Sequence, residues 1–122
     1  MSYQIIVENE LNEDYLILIL SSFFDVQFSE CNQDEYTFPY INYYNYPDDC
    51  FKQKINISVD SEKTEMELAF YVCHLCKTRV IIMDLYLFSY GMLMFSPNGA
   101  IVSVFDLDDG FNFYPSFLSD YM

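Results

Sequence analysis

The sequence predicts an α+β fold, in which one N-terminal helix packs on a mostly antiparallel β-meander sheet and a short C-terminal helix is a further option. Three observations favour it. The 122 residues, 52% of them hydrophobic, suffice for one domain with one core, residues 1–122. An apolar run of helical length follows a capping residue near the N-terminus. Short alternating segments separated by turn residues fill residues 51–107, where we expect the sheet.

The N-terminal part predicts a strand and a helix. Residues 2–8 carry an apolar triplet and predict a short first strand. Asn12 is a favourable N-cap, and Glu13 and Asp14 bring negative charge to the first turn, where it suits the helix dipole. Residues 13–24 therefore predict a helix, although a buried strand stays open because this run is apolar on all sides.

Residues 31–50 are rich in Asn, Asp, Tyr and Pro, and Pro39 and Pro47 would interrupt a regular ladder. We predict a long irregular segment, with one edge strand as an option. A long loop in a small domain usually has a function. The alternative is that its tyrosines lie flat over the core as a lid. A tyrosine side chain is polar at one end and apolar along the ring, so it suits either a binding surface or a cover over the core.

The pattern becomes regular after residue 50. Residues 51–59 alternate apolar and polar side chains and predict a half-exposed antiparallel strand. Residues 66–72 alternate in the same way, so we predict the partner strand, with its glutamates facing the lysines of its neighbour. A helix over residues 61–76 is the competing interpretation, because Glu, Lys, Met, Leu and Ala favour helices. Residues 79–88 predict another strand, in the centre of the sheet.

The clearest local signal is a hairpin. Residues 92–95 and 100–107 flank Ser96-Pro97-Asn98-Gly99, whose Pro and Asn-Gly are typical of tight turns. Residues 106–110 end the meander. Pro115 is preset for a first helical turn, so a short helix to residue 120 is the last predicted element.

The charge of the chain is strongly unbalanced. Nineteen acidic residues face five basic ones, for a formal net charge of −14. Such a surface argues against nucleic acid or anionic membrane as a ligand, since phosphate binding needs Lys and Arg. High hydrophobicity argues against disorder. All five cations lie between residues 52 and 79: Lys52, Lys54, Lys63, Lys77 and Arg79.

Acidic residues interleaved with aromatic ones predict a surface that binds a basic protein. A negative field speeds encounter with a positive partner, and aromatic side chains supply desolvated contact area. The candidate partner-binding residues are Asp34, Glu35, Tyr36, Tyr40, Tyr43, Tyr44, Tyr46, Asp48, Asp49, Asp106, Asp108 and Asp109.

Cysteine and histidine offer one weak metal or redox signal. Cys73 and Cys76 have the Cys-x-x-Cys spacing, but tetrahedral zinc usually needs a second pair, and Cys31 and Cys50 lie far apart. In a strand, Cys73 and Cys76 would also lack a common face. We therefore expect buried thiols, no metal and no cofactor. His74 is the sole histidine and has no paired nucleophile motif, which favours a structural role.

Other catalytic or binding motifs are incomplete in this sequence. Residues 106–110 superficially resemble a calcium loop, but the glycine comes one place early and Phe117 stands where the bidentate glutamate belongs. Three glycines cannot build a glycine-rich phosphate loop. No enzymatic activity is expected.

The N-terminal segment indicates a compartment. Residues 1–10 have no basic region typical of a secretory signal, and the apolar run 15–24 is about half a membrane span. The expectation is a cytoplasmic protein.

An acidic, tyrosine-rich domain with an antiparallel meander resembles the immunity proteins of bacterial polymorphic and contact-dependent growth inhibition systems. Its end, Phe113-Tyr114-Pro115-Ser116-Phe117-Leu118, is similar to helix starts in some immunity families. The resemblance implies a stoichiometric inhibitor that covers the active cleft of a basic toxin, often a nuclease. Two alternatives stay open: a phage or plasmid nucleic-acid mimic that acts against defence nucleases, and an oligomeric scaffold whose aromatic loop makes subunit contacts.

Overall fold

Seven strands and two helices fold from residues 2–31, 38–84, 91–106 and 113–115, which are the residues that the computed structural model describes. In chain order the elements are β1 (Ser2–Val7), α1 (Glu13–Phe24), β2 (Tyr40–Asn45), β3 (Gln53–Ser58), α2 (Glu65–Cys76), β4 (Val80–Asp84), β5 (Gly91–Phe95), β6 (Ile101–Asp106) and β7 (Phe113–Pro115). The predicted α+β class is confirmed.

All neighbouring strands are antiparallel, in the order β2-β3-β1-β4-β5-β6-β7. Strands β4 to β6 form a meander within the predicted residues 51–107, β7 continues it beyond them, and β1 lies in the middle of the sheet, between β3 and β4. The sheet therefore extends beyond residues 51–107. The pairing of β1 with β3 covers six residue pairs, whereas β1 and β4 pair only through Ile6 with Ile81 and Val7 with Val80.

Helix α1 begins where the sequence predicts. The Asn12 side chain accepts a hydrogen bond from the Tyr15 backbone N–H at 2.8 Å. Asp25 ends the helix in the left-handed conformation, with φ of 55°. Burial follows the helical period and confirms a helix instead of a buried strand, because the residues that face the sheet are Leu16, Ile19, Leu20, Phe23 and Phe24.

The prediction of a strand over residues 66–72 is wrong, because these residues belong to helix α2. Thr64 caps the helix: its hydroxyl accepts from the Glu67 N–H at 3.1 Å, and the Glu67 carboxylate accepts from the Thr64 N–H at 3.2 Å. Such a capping box satisfies two backbone donors that a helix N-terminus otherwise leaves unpaired. The expected pairing of these glutamates with lysines of a neighbouring strand therefore does not occur; β3 lies between β2 and β1 instead.

The main core lies between the sheet and the two helices. Alternate residues of the strands point into it, among them Ile5, Ile55 and Val80. The Tyr71 hydroxyl of α2 donates to the Ile19 carbonyl oxygen of α1 at 3.0 Å and joins the helices. A smaller buried cluster lies on the opposite face of the sheet and consists of Ile6, Phe51, Ile81, Met94 and Val102.

Gln53 is a polar residue inside the main core, with no exposed surface. Its Oε1 accepts from the Leu11 N–H at 3.1 Å, and its Nε2 donates to the Leu11 carbonyl at 3.0 Å. The same Nε2 donates to Asn45 Oδ1 at 3.0 Å. One side chain therefore links β2, β3 and the segment that leads into α1.

The other local predictions have mixed outcomes. Among the described residues of the range 31–50, which are 31 and 38–50, there is one edge strand, β2, as expected. The predicted hairpin is present, since β5 pairs with β6 and Gly99 adopts a φ of 93° in the turn. Strand β4 is central, although residues 85–88 lie outside the described part of the chain. Pro115 belongs to β7, not to a helix, and the remainder of the predicted C-terminal helix is also outside it.

Candidate functional site: the open face of the sheet

Strands β2, β3 and β1 present a polar face on the side opposite the two helices, which we call the open face. Because side chains alternate along a strand, the neighbours of core residues point to this side. Pairing brings three amides into one row across the strands: Asn42 pairs with Asn56, and Asn56 pairs with Gln4. We call these three residues the amide row. It is flanked by a row of Tyr40, Ser58 and Ser2 and by a row of Tyr44, Lys54 and Ile6.

A groove of about 420 Å³ runs across the open face. The amide row lies along it, with Tyr40 and Tyr44 on the β2 side and Met83 on the β4 side. Tyr44 is 50% exposed and Met83 is 49% exposed. The groove therefore combines uncharged hydrogen-bonding groups with accessible aromatic and thioether surfaces.

Glu65 contributes a carboxyl group to the same groove. It is the first residue of α2, and it reaches β1 in the part where that strand is not paired with β4. Burial raises the pKa of Glu65, and a hydrogen bond from the backbone of Gln4 partly offsets the rise. The site thus holds a carboxyl group whose ionised form is less favoured than in water.

The candidate tyrosines divide between the two faces of β2. Tyr40 and Tyr44 line the groove, whereas Tyr43 packs against the main core, and its hydroxyl lies 3.4 Å from Glu13 Oε1, to which it donates. Tyr46 is part of the turn between β2 and β3, where its N–H donates to the Lys52 carbonyl at 2.7 Å. The structure therefore brings together two of the predicted tyrosines, not all of them.

The candidate acidic residues are dispersed. Asp48, which is exposed, and Asp49, which is half-buried, lie in the turn directly after β2. Asp106 ends β6, where it pairs with Phe113. Four strands separate β2 from β6, a distance of roughly 24 Å at the usual strand spacing. The remaining candidates lie outside the described residues: Asp34, Glu35, Tyr36, Asp108 and Asp109.

Most cations of the chain contact groups of the chain itself. Lys52 Nζ donates to the carbonyl oxygens of Pro47 and Asp49, at 3.0 and 3.2 Å. The Lys54 ammonium lies 5.8 Å from the centroid of the Tyr44 ring, and that of Lys63 lies 4.7 Å from the centroid of the Phe23 ring.

Arg79 is the one cation that forms a salt bridge between described residues. Its guanidinium binds the Glu8 carboxylate, and its Cζ lies 5.4 Å from the centroid of the Phe51 ring. Internal ion pairs therefore neutralise little of the acidic charge in the described part of the chain.

The cysteines of the Cys-x-x-Cys spacing lie three residues apart on a helix, so the expectation based on a strand, that they lack a common face, does not hold. Both are free thiols, and burial raises the pKa of Cys73 and of Cys76. Burial also raises the pKa of Cys31 to about 12, with help from the negative charges of Glu13 and Asp14. Thiols in this state are poor nucleophiles and poor metal ligands.

A metal centre is not apparent in the described part of the chain, where no three His, Cys, Asp or Glu side chains form a group that could hold a metal ion. His74 is exposed, its ring stacks on Phe70 with centroids 5.9 Å apart, and its Nδ1 lies 2.9 Å from the Phe70 carbonyl oxygen. Neither helix in the described ranges is long and apolar enough to cross a membrane.

The sequence itself carries a signal for part of the groove. Gln4, Asn42 and Asn56 occupy strand positions whose neighbours are apolar, which is the pattern of a polar sheet face. Glu65 and Met83 had no comparable signal, because their approach to β1 depends on tertiary packing.

Comparisons of the chain with protein families, with curated proteins and with solved structures find no match. Function is therefore inferred from the chemistry and geometry of the open face.

Proposed function

We propose that this protein is an acidic, non-enzymatic inhibitor that binds and occludes a basic protein partner in the cytoplasm. In this proposal it acts as an immunity protein does on a toxin nuclease. The supporting observation is the net charge of −14 of a chain that also has an accessible aromatic surface on the open face.

The charge supports partner choice and rapid association. The net charge is −14, and one described carboxylate, that of Glu8, is neutralised by a salt bridge. A field of this sign attracts a positively charged surface and repels nucleic acid. The cleft of a nuclease is positive because its substrate is a polyanion, so an acidic protein can occupy the same field. Occlusion requires no chemical step.

The open face supplies groups suited to tight contact. Tyr40 and Tyr44 lie at the sheet edge, and the acidic turn with Asp48 and Asp49 follows directly. Tyrosine is enriched among the residues that dominate interface energies, while charges at the rim mainly set the association rate. Tyr44 is the anchor we favour, because the residue is half exposed.

The test begins with a partner obtained by co-expression with the product of the neighbouring upstream gene, or by pull-down from the source cell. With that partner, Tyr44→Ala should weaken binding by about 2 kcal/mol, roughly thirtyfold, mainly through faster dissociation. Tyr43→Phe is the matched control, since it removes a hydroxyl on the opposite face of the same strand and should leave affinity unchanged.

Charge is tested separately in the same binding assay. Asp48→Asn should slow association and reduce its dependence on salt, whereas Asp60→Asn, an exposed acid outside the turn, should have a smaller effect. An acidic partner, or an affinity insensitive to salt and to all these substitutions, would refute the proposed function.

A second candidate, self-association as a scaffold, is favoured by one observation. Met66 and Phe70 on α2 and Ile101 on β6 are all more than a third exposed, and the Phe70 ring lies 4.9 Å from that of Phe95 on the neighbouring strand β5. Light scattering after size-exclusion chromatography decides between the two. A dimer that Met66→Lys converts to a monomer would favour the scaffold, and a monomer at all concentrations would exclude it.

A further inference from the structure

We propose that the groove on the open face is the receiving site for one arginine side chain of the basic partner, with Glu65 as the carboxylate that binds its guanidinium. This inference rests on the proposed function and specifies the group that the partner presents. It follows from three features of the groove: its acid, its uncharged acceptors and its size.

The acid is the first feature. Glu65 lies in the groove at the start of α2, and the Gln4 backbone supplies one hydrogen bond to its carboxyl group. Burial raises the pKa of this carboxyl, so its negative charge is incompletely compensated in the free protein. A guanidinium would stabilise the negative charge of the Glu65 carboxylate through charge-assisted hydrogen bonds. The groove therefore favours a cation at this end.

The uncharged acceptors are the second feature. A guanidinium has five N–H donors in a plane, more than one carboxylate can satisfy. The side-chain amides of Gln4, Asn42 and Asn56 stand in a row along the same groove, and each contains one carbonyl oxygen that can accept a hydrogen bond. An ammonium has three donors around one point and would use fewer of these acceptors. This distribution selects arginine over lysine.

Lys54 disfavours a second cation at one margin of the groove. Its ammonium already lies over the Tyr44 ring, which places a positive charge at one margin of the groove. Lys54 is two residues along β3 from Asn56, so repulsion drives a second cation towards the opposite margin, where Ser2 and Tyr40 lie. In this proposal the guanidinium binds the Glu65 carboxyl group, which lies at the Gln4 backbone, and Met83 offers apolar surface to the stem.

The size of the groove is the third feature. Its volume of about 420 Å³ lies near the lower end of the range for ligand pockets. Such a volume suits one long side chain and not a whole secondary-structure element. The contact is therefore a single anchor within a larger interface.

The experiment uses N-acetyl-arginine methylamide as the probe and its neutral citrulline analogue, which has nearly the same shape. Backbone and methyl NMR spectra of the full chain are recorded during titration. The arginine probe should give saturable shifts at the Gln4 amide and the Met83 methyl group, and bind at least tenfold more tightly than the citrulline analogue. Glu65→Gln should weaken arginine binding at least tenfold.

Glu62→Gln is the matched control, because Glu62 is exposed, lies three residues before Glu65 and does not line the groove. It should bind the probe within twofold of the wild type. Glutamine at position 65 retains an acceptor for the Gln4 N–H, and unchanged spectra elsewhere verify that this variant is folded.

Three outcomes would overturn the inference: equal binding of the two probes, wild-type affinity in Glu65→Gln, or shifts spread over the acidic turn instead of the groove. Binding of the isolated partner to the wild type and to Glu65→Gln is then measured, which tests this inference and the proposed function separately. If the partner binds with strong salt dependence but Glu65→Gln has no effect, the arginine site is wrong and the inhibitor proposal stands. If no basic partner binds, the inhibitor proposal itself fails.

Discussion

The two faces of β3 show how differently one strand can be used. On the helix side, Ile55 and Ile57 are at most 1% exposed and pack under α1 and α2. On the open face, Asn56 and Ser58 are half-buried and belong to polar rows that continue into β1 and β2. Adjacent residues therefore meet either a closed apolar core or a polar groove.

The helix side of the sheet mainly stabilises the fold, whereas the open face is available for binding a partner. Buried apolar area is the main stabilising contribution in a domain of this size, and it is concentrated on the helix side of β2, β3 and β1. Their open face contributes less to folding, so its side chains can be chosen for a partner. Substitutions on the two faces should consequently have different effects.

The largest expected effect comes from the helix side. Ile55→Ala should lower the free energy of unfolding by about 2–5 kcal/mol, because it removes buried methyl groups and leaves a cavity. Asn56→Ala, one residue further along, should change it by less than about 0.5 kcal/mol. Urea unfolding of both variants measures the contrast. Equal losses would show that the open face is as important for stability as the core.

An intermediate effect is expected at Gln53, the polar residue inside the core. Gln53→Leu keeps the volume similar but leaves the Leu11 N–H and carbonyl without their partner, a loss of roughly 1–3 kcal/mol. Gln53→Glu keeps an acceptor but loses the donor, so it should also destabilise. Thermal unfolding of the two variants checks the prediction, which a stability equal to the wild type would contradict.

The smallest effect is expected at Glu65 and depends on pH. The folded chain raises the pKa of Glu65 above its value in the unfolded chain, so folding favours the protonated form. The contribution of this group to stability is therefore complete at low pH and declines as pH rises from the ordinary pKa to the folded one. Glu65→Gln avoids that decline.

The measurement is urea unfolding of wild type and Glu65→Gln across the acidic to neutral range. The variant should match the wild type at low pH and become slightly more stable near neutrality. A variant that is less stable at neutral pH, and regains stability on acidification, would reverse the sign and refute the assignment.

Local signals predicted several elements correctly. The Asn12 cap, the apolar stripe of α1 and the Ser96–Gly99 turn all act between residues close in sequence, so their structure could be inferred without knowing the rest. The sequence of α2 resembles that of a strand because Met66 and Phe70 are apolar yet exposed. Apolar residues on the solvent side of a helix obscure the 3.6-residue spacing of its apolar positions, so that apolar and polar residues seem to alternate as in a strand.

The site was harder to predict than the fold. Composition drew attention to the tyrosines of β2, but separating Tyr40 and Tyr44 from Tyr43 requires the phase of the strand, which depends on its pairing with β3. The groove also needs Glu65, which reaches β1 because α2 starts at that end of the sheet. Such contacts arise from tertiary packing and leave no pattern in the local sequence.

The central position of β1 has a consequence for folding during synthesis. Its partners in β3 and β4 follow it by about 50 and about 75 residues, so β1 leaves the ribosome long before it can pair. Until then its apolar residues Ile5, Ile6 and Val7 stay exposed to water and to chaperones. Strand β1 can therefore be paired on both sides only after β4 has emerged, and pairing over such long sequence separations slows folding.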